Sequence, residues 1–137
     1  MDVEIRPYRA EDEEEVVTLW HDCKLVVPWN DPRRDIAMKI AWQPELFLVA
    51  TVDEDVVATV MAGYEGHRGW INYLAVAPIM QGHGLGQLLM EEAETRLQQL
   101  GCPKINLQIR TSNSEVIEFY KRIGFTVDDV VSMGKWL

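Results

Sequence analysis

From Gln81 to Gly86 the chain reads Gln-Gly-His-Gly-Leu-Gly. Three alternate glycines leave backbone N–H groups bare and let a ligand come close to the main chain, and the helix that opens there adds its positive N-terminal end. The combination suits a phosphate; the plainer reading of the same residues is a tight turn. Two common phosphate loops are excluded. No Lys-Ser or Lys-Thr follows the glycines, as a P-loop requires. The spacing is Gly-x-Gly-x-Gly rather than Gly-x-Gly-x-x-Gly and does not follow a first strand, which argues against a dinucleotide fold. Tyr120 is a second point of interest, although an aromatic on the apolar face of a helix, taken alone, reads as core. His21, His67 and His83 are scattered, and Cys23 and Cys102 make no ligand cluster, so no metal is expected.

The elements that must position these residues follow from periodicity. Val3 to Tyr8 alternates as a strand, with Pro7 suggesting an edge. Residues 11–23 read as a helix with Val16, Val17, Leu19, Trp20 and Cys23 as its apolar stripe. Asp31-Pro32 is a helix start, Asp as N-cap and Pro at the first position, and that helix runs to about Trp42. Leu46 to Val52 and Val56 to Tyr64 are strands joined at Asp53-Glu54-Asp55. Gly66-His67-Arg68-Gly69 turns into a fourth strand, Trp70 to Val76, stopped by Pro78. After the glycine loop, Leu85, Leu88, Leu89, Ala93, Leu97 and Leu100 form the core face of a helix ended by Gly101. Ile105, Leu107 and Ile109 alternate as a fifth strand. Ser112 and Glu115 read as a capping box for a helix carrying Val116, Phe119, Tyr120 and Ile123, ended by Gly124. Residues 125–137 hold one or two last strands. The expected fold is a single α/β (α+β) domain over 1–137: a mixed, mostly antiparallel sheet of six to seven strands with helices on both faces, in the order β-α-α-β-β-β-α-β-α-β(-β).

Gln81-x-x-Gly84-x-Gly86, a helix, a strand, then Asn113, Tyr120 and Gly124-Phe125 at the same spacing resembles the GNAT superfamily of acetyl-CoA-dependent N-acetyltransferases, over essentially the whole chain. The stretches 28–32, 47–50, 66–69 and 101–105 further resemble the small stand-alone bacterial acetyltransferases of the YpeA kind. The resemblance implies acetyl-CoA as co-substrate and an amine acceptor. It implies that the amides of Gly82, His83, Gly84, Leu85 and Gly86, with the Gln81 side chain, hold the coenzyme A pyrophosphate. It implies that Leu74, Ala75 and Val76 pair with the pantetheine arm, and that a bulge there aims an N–H at the thioester carbonyl. Asn113 is then a coenzyme contact, and Tyr120 both lies at the cofactor and protonates the departing thiolate. Trp29, Asn30, Glu65, His67 and Gln108 are the acceptor-side candidates.

One departure stands out. Some relatives carry a glutamate base in the fifth strand where this chain has Gln108, and others carry one in the fourth strand, which here reads Trp-Ile-Asn-Tyr. Glu65, His67 and Asp31 remain as candidates, beside deprotonation through a water chain. Without a strong base, an amine of low pKa is the easier acceptor: an α-amine costs only about 1 kcal/mol to deprotonate at pH 7 and a lysine amine about 4–5 kcal/mol. The missing base also keeps a second reading open, a module that binds acyl-CoA without turning it over. Tyr120 speaks against it, since binding needs no phenol at the thiol.

Composition bounds the rest. The 137 residues are 47% hydrophobic and 26% charged, the balance of a folded domain. The net charge is −9, of which residues 1–69 carry −8. Such a balance excludes a broad nucleic-acid surface, which needs clustered Lys and Arg. The acids at 11–15 suit a first helical turn and those at 53–55 a solvated turn, though an acidic half also draws cations. No apolar run reaches the ~20 residues that span a bilayer, and the N-terminus shows no signal-peptide pattern, so the expected location is cytoplasmic with no membrane partner. Val131, Met133 and Trp136 at a C-terminal edge strand would suit a homodimer.

Overall fold

The computed structural model describes residues 1–137. They form two compact units, Met1–Leu107 and Gln108–Leu137. The first holds β1 (Glu4–Pro7), α1 (Glu13–Asp22), α2 (Pro32–Ile40), β2 (Phe47–Val52), β3 (Asp55–Tyr64), β4 (Gly69–Val76), α3 (Leu85–Gln99) and β5 (Ile105–Leu107); the second holds α4 (Ser114–Arg122). The strands lie in the order β1-β2-β3-β4-β5, with Pro7 on the edge strand as expected. The first three pairings are antiparallel. β4 and β5 are parallel, because α3 carries the chain back between them.

Successive residues of β2 face opposite sides of the sheet. Phe47 and Val49 join a core with Val16, Trp20 and Ile36 under α1 and α2. Leu48 and Ala50 face the other way, toward α3. With both faces covered, five of the six β2 residues are buried and the strand shows no polar alternation. α3 buries Leu85, Leu89, Met90, Ala93 and Leu97. Leu88 and Leu100, expected on that face, are 42% and 50% exposed, because the buried row follows a four-residue spacing that both miss. Asp53 and Glu54 take φ of 51° and 69°, the two left-handed residues of a tight hairpin turn.

The acidic run at 11–15 is not merely solvated. Asp12 is 3% exposed and takes both guanidinium nitrogens of Arg6 at 2.7 and 2.9 Å and the Arg9 amide at 2.8 Å. Glu13 and Glu14 pair with Arg33 of α2.

Three expectations fail near the C-terminus. Asn113, not Ser112, caps α4, its side chain accepting from the Val116 amide at 3.4 Å, which moves Glu115 out of the N3 position. β5 ends at Leu107, so Ile109 is outside the sheet. Residues 125–137 form no strand, which leaves five strands rather than six or seven. A strand exists only when a neighbour takes its N–H and C=O groups, and β propensity in a terminal run supplies no neighbour.

Candidate active site

β4 breaks its ladder near its C-terminal end. Ala75 pairs with Thr59 and Asn72 with Met61, so two residues, Tyr73 and Leu74, stand opposite Val60 alone. Tyr73 takes the left-handed conformation at φ 51°. Holding a non-glycine residue there costs about 1–2 kcal/mol, and its neighbours supply the compensation. Thr59 donates its hydroxyl to the Tyr73 carbonyl at 2.8 Å, and the Trp20 indole N–H donates to that same Thr59 oxygen at 2.9 Å. The Tyr73 ring stacks on Trp20 with centroids 3.8 Å apart, and its hydroxyl donates to Asp35 Oδ2 of α2 at 2.6 Å. Burial, then the Asp35 carboxylate, push the Tyr73 phenol above its usual pKa, so it keeps its proton.

Strand end and glycine loop are tied together at Val76. Its carbonyl accepts from the Cys23 thiol at 3.2 Å and from the Gln81 side-chain amide at 3.1 Å. Pro78–Met80 makes a short 3-10 turn. Gly82 and Gly84 then take φ of +83° and +78°, and a Cβ built on either meets nothing within 4 Å. The His83 ring nitrogen Nδ1 sits 3.1 and 3.2 Å from the Met80 and Gln81 carbonyls, turned back on the loop. Gly84 is the N-cap of α3, and no side chain caps that helix. Its first amides thus have no side-chain cap, and open space lies beside the two glycines that precede them. Residues 82–86 fit a diphosphate: bare donors, helix polarity and room.

The acceptor-side candidates of the first unit lie on two loops. Trp29 and Asn30 are exposed between α1 and α2, and Asp31 Oδ1 caps α2 by accepting from the Arg33 and Arg34 amides at 3.0 and 3.4 Å. Glu65 and His67 are on the β3–β4 turn. The Glu65 carboxylate is folded back on that turn, accepting from the His67 amide at 2.6 Å and from the Arg68 amide. Those amides hold its pKa below the usual carboxylate range, which makes it a weaker base.

In the second unit, the Gln108 side-chain amide donates to the Ser132 hydroxyl, and Asn113 is occupied as the α4 cap. Tyr120 is 7% exposed, set edge-on against Phe119 and Phe125 at 5.1 and 5.4 Å. Burial raises its pKa, so the phenol is protonated at neutral pH.

The profile described as "Acetyltransferase (GNAT) family" matches residues 13–125. The chain belongs to the GNAT acetyltransferase family. Its fold is similar to that of Ard1 from Thermoplasma volcanium (TM-score 0.80, 22% identity, covering 93% of this chain and 85% of that one). It is similar to the ribosomal-protein-S18-alanine N-acetyltransferase from Escherichia coli (TM-score 0.76, 22% identity, 91% and 78%). It is also similar to the PaiA N-acetyltransferase from Thermoplasma acidophilum, solved in complex with coenzyme A (TM-score 0.78, 20% identity, 96% and 94%). At these identities the likeness carries the fold. Family membership carries the activity, acetyl transfer from acetyl-CoA to an amine.

The bulge of this GNAT chain is held by residues that sequence reasoning did not single out as a site: Trp20, Asp35, Thr59 and Tyr73. Each looked like an ordinary core or surface residue. Their one sequence signal was weak, an acid at Asp35 one turn after the Asp31 cap. What joins them is the bulge, which brings α1, α2, β3 and β4 to one point.

Proposed function

We propose that residues 1–137 act as one N-acetyltransferase domain in which an amine attacks acetyl-CoA directly, with no covalent enzyme intermediate. The observation that carries the reading is the bulge at Tyr73–Leu74, one strand end away from an uncapped, glycine-lined helix start. In this reading the amides of 82–86 and the Gln81 side chain hold the pyrophosphate. Leu74, Ala75 and Val76 pair with the pantetheine arm, and the bulge offers an N–H to the carbonyl oxygen where negative charge develops. Asn113 contacts the coenzyme. Tyr120, protonated at neutral pH, gives its proton to the leaving thiolate. Trp29, Asn30, Glu65, His67 and Gln108 border the acceptor.

Several finer points belong to the same reading. The chain is of the bacterial YpeA kind, supported by the stretches 28–32, 47–50, 66–69 and 101–105. A cytoplasmic location agrees with the two free thiols, Cys23 and Cys102. A homodimer is supported by the exposed Val131, Met133 and Trp136, which lie in a segment without regular secondary structure and not in a strand.

Calorimetry with acetyl-CoA, together with thiol release against a panel of amines and peptides, tests the proposal. Tyr120→Phe keeps the packed ring, so coenzyme affinity should change by less than about 1 kcal/mol while turnover falls about 10²-fold or more. Equal loss of both would mark the tyrosine as structural. Tight acetyl-CoA binding with no thiol release from any amine would favour the acyl-CoA-binding module instead.

A further inference from the structure

We propose that Asp35 is the carboxylate that receives the acceptor amine and takes its proton as the amide bond forms. The inference rests on the reading above, in which the thioester lies at the β4 bulge.

Gln108, just past the end of β5, cannot accept a proton as a carboxylate does, and β4 carries no acid. Of the loop acids, Glu65 is satisfied by the amides of its own turn, and Asp31 Oδ1 is satisfied by two amides of α2. Asp35 differs from both, because its partner is the bulge residue itself. The Tyr73 hydroxyl donates to Oδ2 at 2.6 Å, so this bond does not use Oδ1. The contact has a fixed polarity: burial and the neighbouring Asp35 raise the Tyr73 pKa, so the phenol keeps its proton and donates it. It is also rigid, because the same Tyr73 ring is stacked on Trp20 while its carbonyl is held by Thr59. The carboxylate is therefore set, through one side chain, by the backbone that carries the Leu74 N–H.

The surrounding charges leave that carboxylate available. On α2, Arg33 is engaged by Glu13 and Glu14 of α1 at 2.9 and 2.8 Å. Arg34 is exposed on the following turn position. Lys39, one turn further on, is buried with Glu45 as its electrostatic partner. Asp31 adds a second negative charge near the Tyr73 hydroxyl. An arriving ammonium is thus attracted and not repelled.

The step balances as follows. The ammonium loses one proton to solvent and becomes a neutral amine. Its nitrogen forms a C–N bond to the thioester carbonyl carbon, and the C–S bond breaks. The second nitrogen proton passes to Asp35 Oδ1 and on to water, since Asp35 is half-buried. The thiolate takes a proton from the general acid, which is replaced from solvent. Amide, thiol and one released proton result.

The test uses the full chain and two probes, 1,4-diaminobutane and the tripeptide Ala-Ala-Ala. Amine binding is measured by calorimetry on the coenzyme A-saturated protein, and rates are measured by thiol release from acetyl-CoA. Asp35→Asn should leave acetyl-CoA affinity within about twofold, weaken the amine that binds by about tenfold or more, and lower kcat/KM about 10²-fold or more. Asp35→Glu, which keeps the carboxylate, should recover part of the rate and serves if the Asn variant does not fold. Amine affinity and kcat/KM unchanged in Asp35→Asn would overturn the proposal. So would equal loss of coenzyme and amine binding, the mark of a structural residue. A wild-type protein that binds acetyl-CoA but neither probe would overturn the Asp35 assignment and leave the coenzyme site standing. A wild-type protein that does not bind acetyl-CoA would remove the underlying reading as well.

Discussion

The two ends of β4 both depend on glycine, for opposite reasons. At the N-terminal end, Gly69 is buried, and a Cβ placed on it would lie 2.9 Å from Cys102 Sγ and 3.2 Å from Leu97 Cδ1. Its amide donates to the Lys104 carbonyl at 2.8 Å, which pins the chain leaving α3 to the strand. There glycine makes room for protein. Past the C-terminal end, Gly82 and Gly84 have nothing within 4 Å of a Cβ, and only their left-handed φ demands glycine. There glycine lets the backbone take a left-handed turn beside a space no protein atom fills. One strand thus runs from a packed end to an open end, beyond which lies the glycine loop that the proposal above assigns to coenzyme binding, and the bulge at Tyr73–Leu74 lies on the open side of the middle.

The sharpest way to break this contrast is Gly84→Asp. It sets a carboxylate beside the expected diphosphate and strains a left-handed position. Coenzyme A affinity should fall about 10²-fold or more, and thermal unfolding should show the protein still folded. Unchanged affinity by calorimetry would make the loop a plain turn.

A charge pair away from both ends provides the next test. Burial by itself would raise the pKa of Asp12, but the Arg6 guanidinium and the Arg9 amide outweigh it and hold the carboxyl below the usual aspartate range. A carboxyl depressed in the folded state stabilises above its unfolded pKa, and that contribution is lost as pH falls through the lower folded value. Asp12→Asn, which weakens the charge-assisted hydrogen bonds to Arg6 and Arg9, should therefore cost about 1.5–3 kcal/mol at pH 7 and flatten the loss of stability on acidification below pH ~4. Denaturant titrations over a pH series measure it. Coenzyme binding at pH 7 should be untouched, as for a residue of the packed kind.

Gly69→Ala should give the reverse of Gly84→Asp. Overpacking against Cys102 and Leu97 should cost about 2 kcal/mol of stability, while the folded fraction binds coenzyme A normally. A loss of affinity without loss of stability would erase the distinction between the two ends.

The smallest effect tests the middle. Thr59→Val keeps shape but takes the acceptor from Trp20 and the donor from the Tyr73 carbonyl, an expected loss of about 1–2 kcal/mol. If those bonds hold the bulge, kcat should fall while acetyl-CoA affinity stays, and steady-state kinetics beside calorimetry distinguishes the two.

How much of this the chain reveals unfolded depends on whether the signal is local. The first six strand and helix spans, the Asp31 cap, the glycine loop and the Tyr120 helix were legible, since apolar period, capping chemistry and glycine spacing act within a few residues. The family pattern was legible for the same reason, being short motifs at set distances. The buried state of Asp12, the tight approach at Gly69, and the Trp20–Thr59–Tyr73–Asp35 chain were not. Each joins residues from different elements, and no spacing along the chain encodes the sheet register that brings them together. The missing C-terminal strands fail on the same principle: Val130, Val131 and Met133 have the residue types of a strand, but only tertiary structure supplies the partner that makes one.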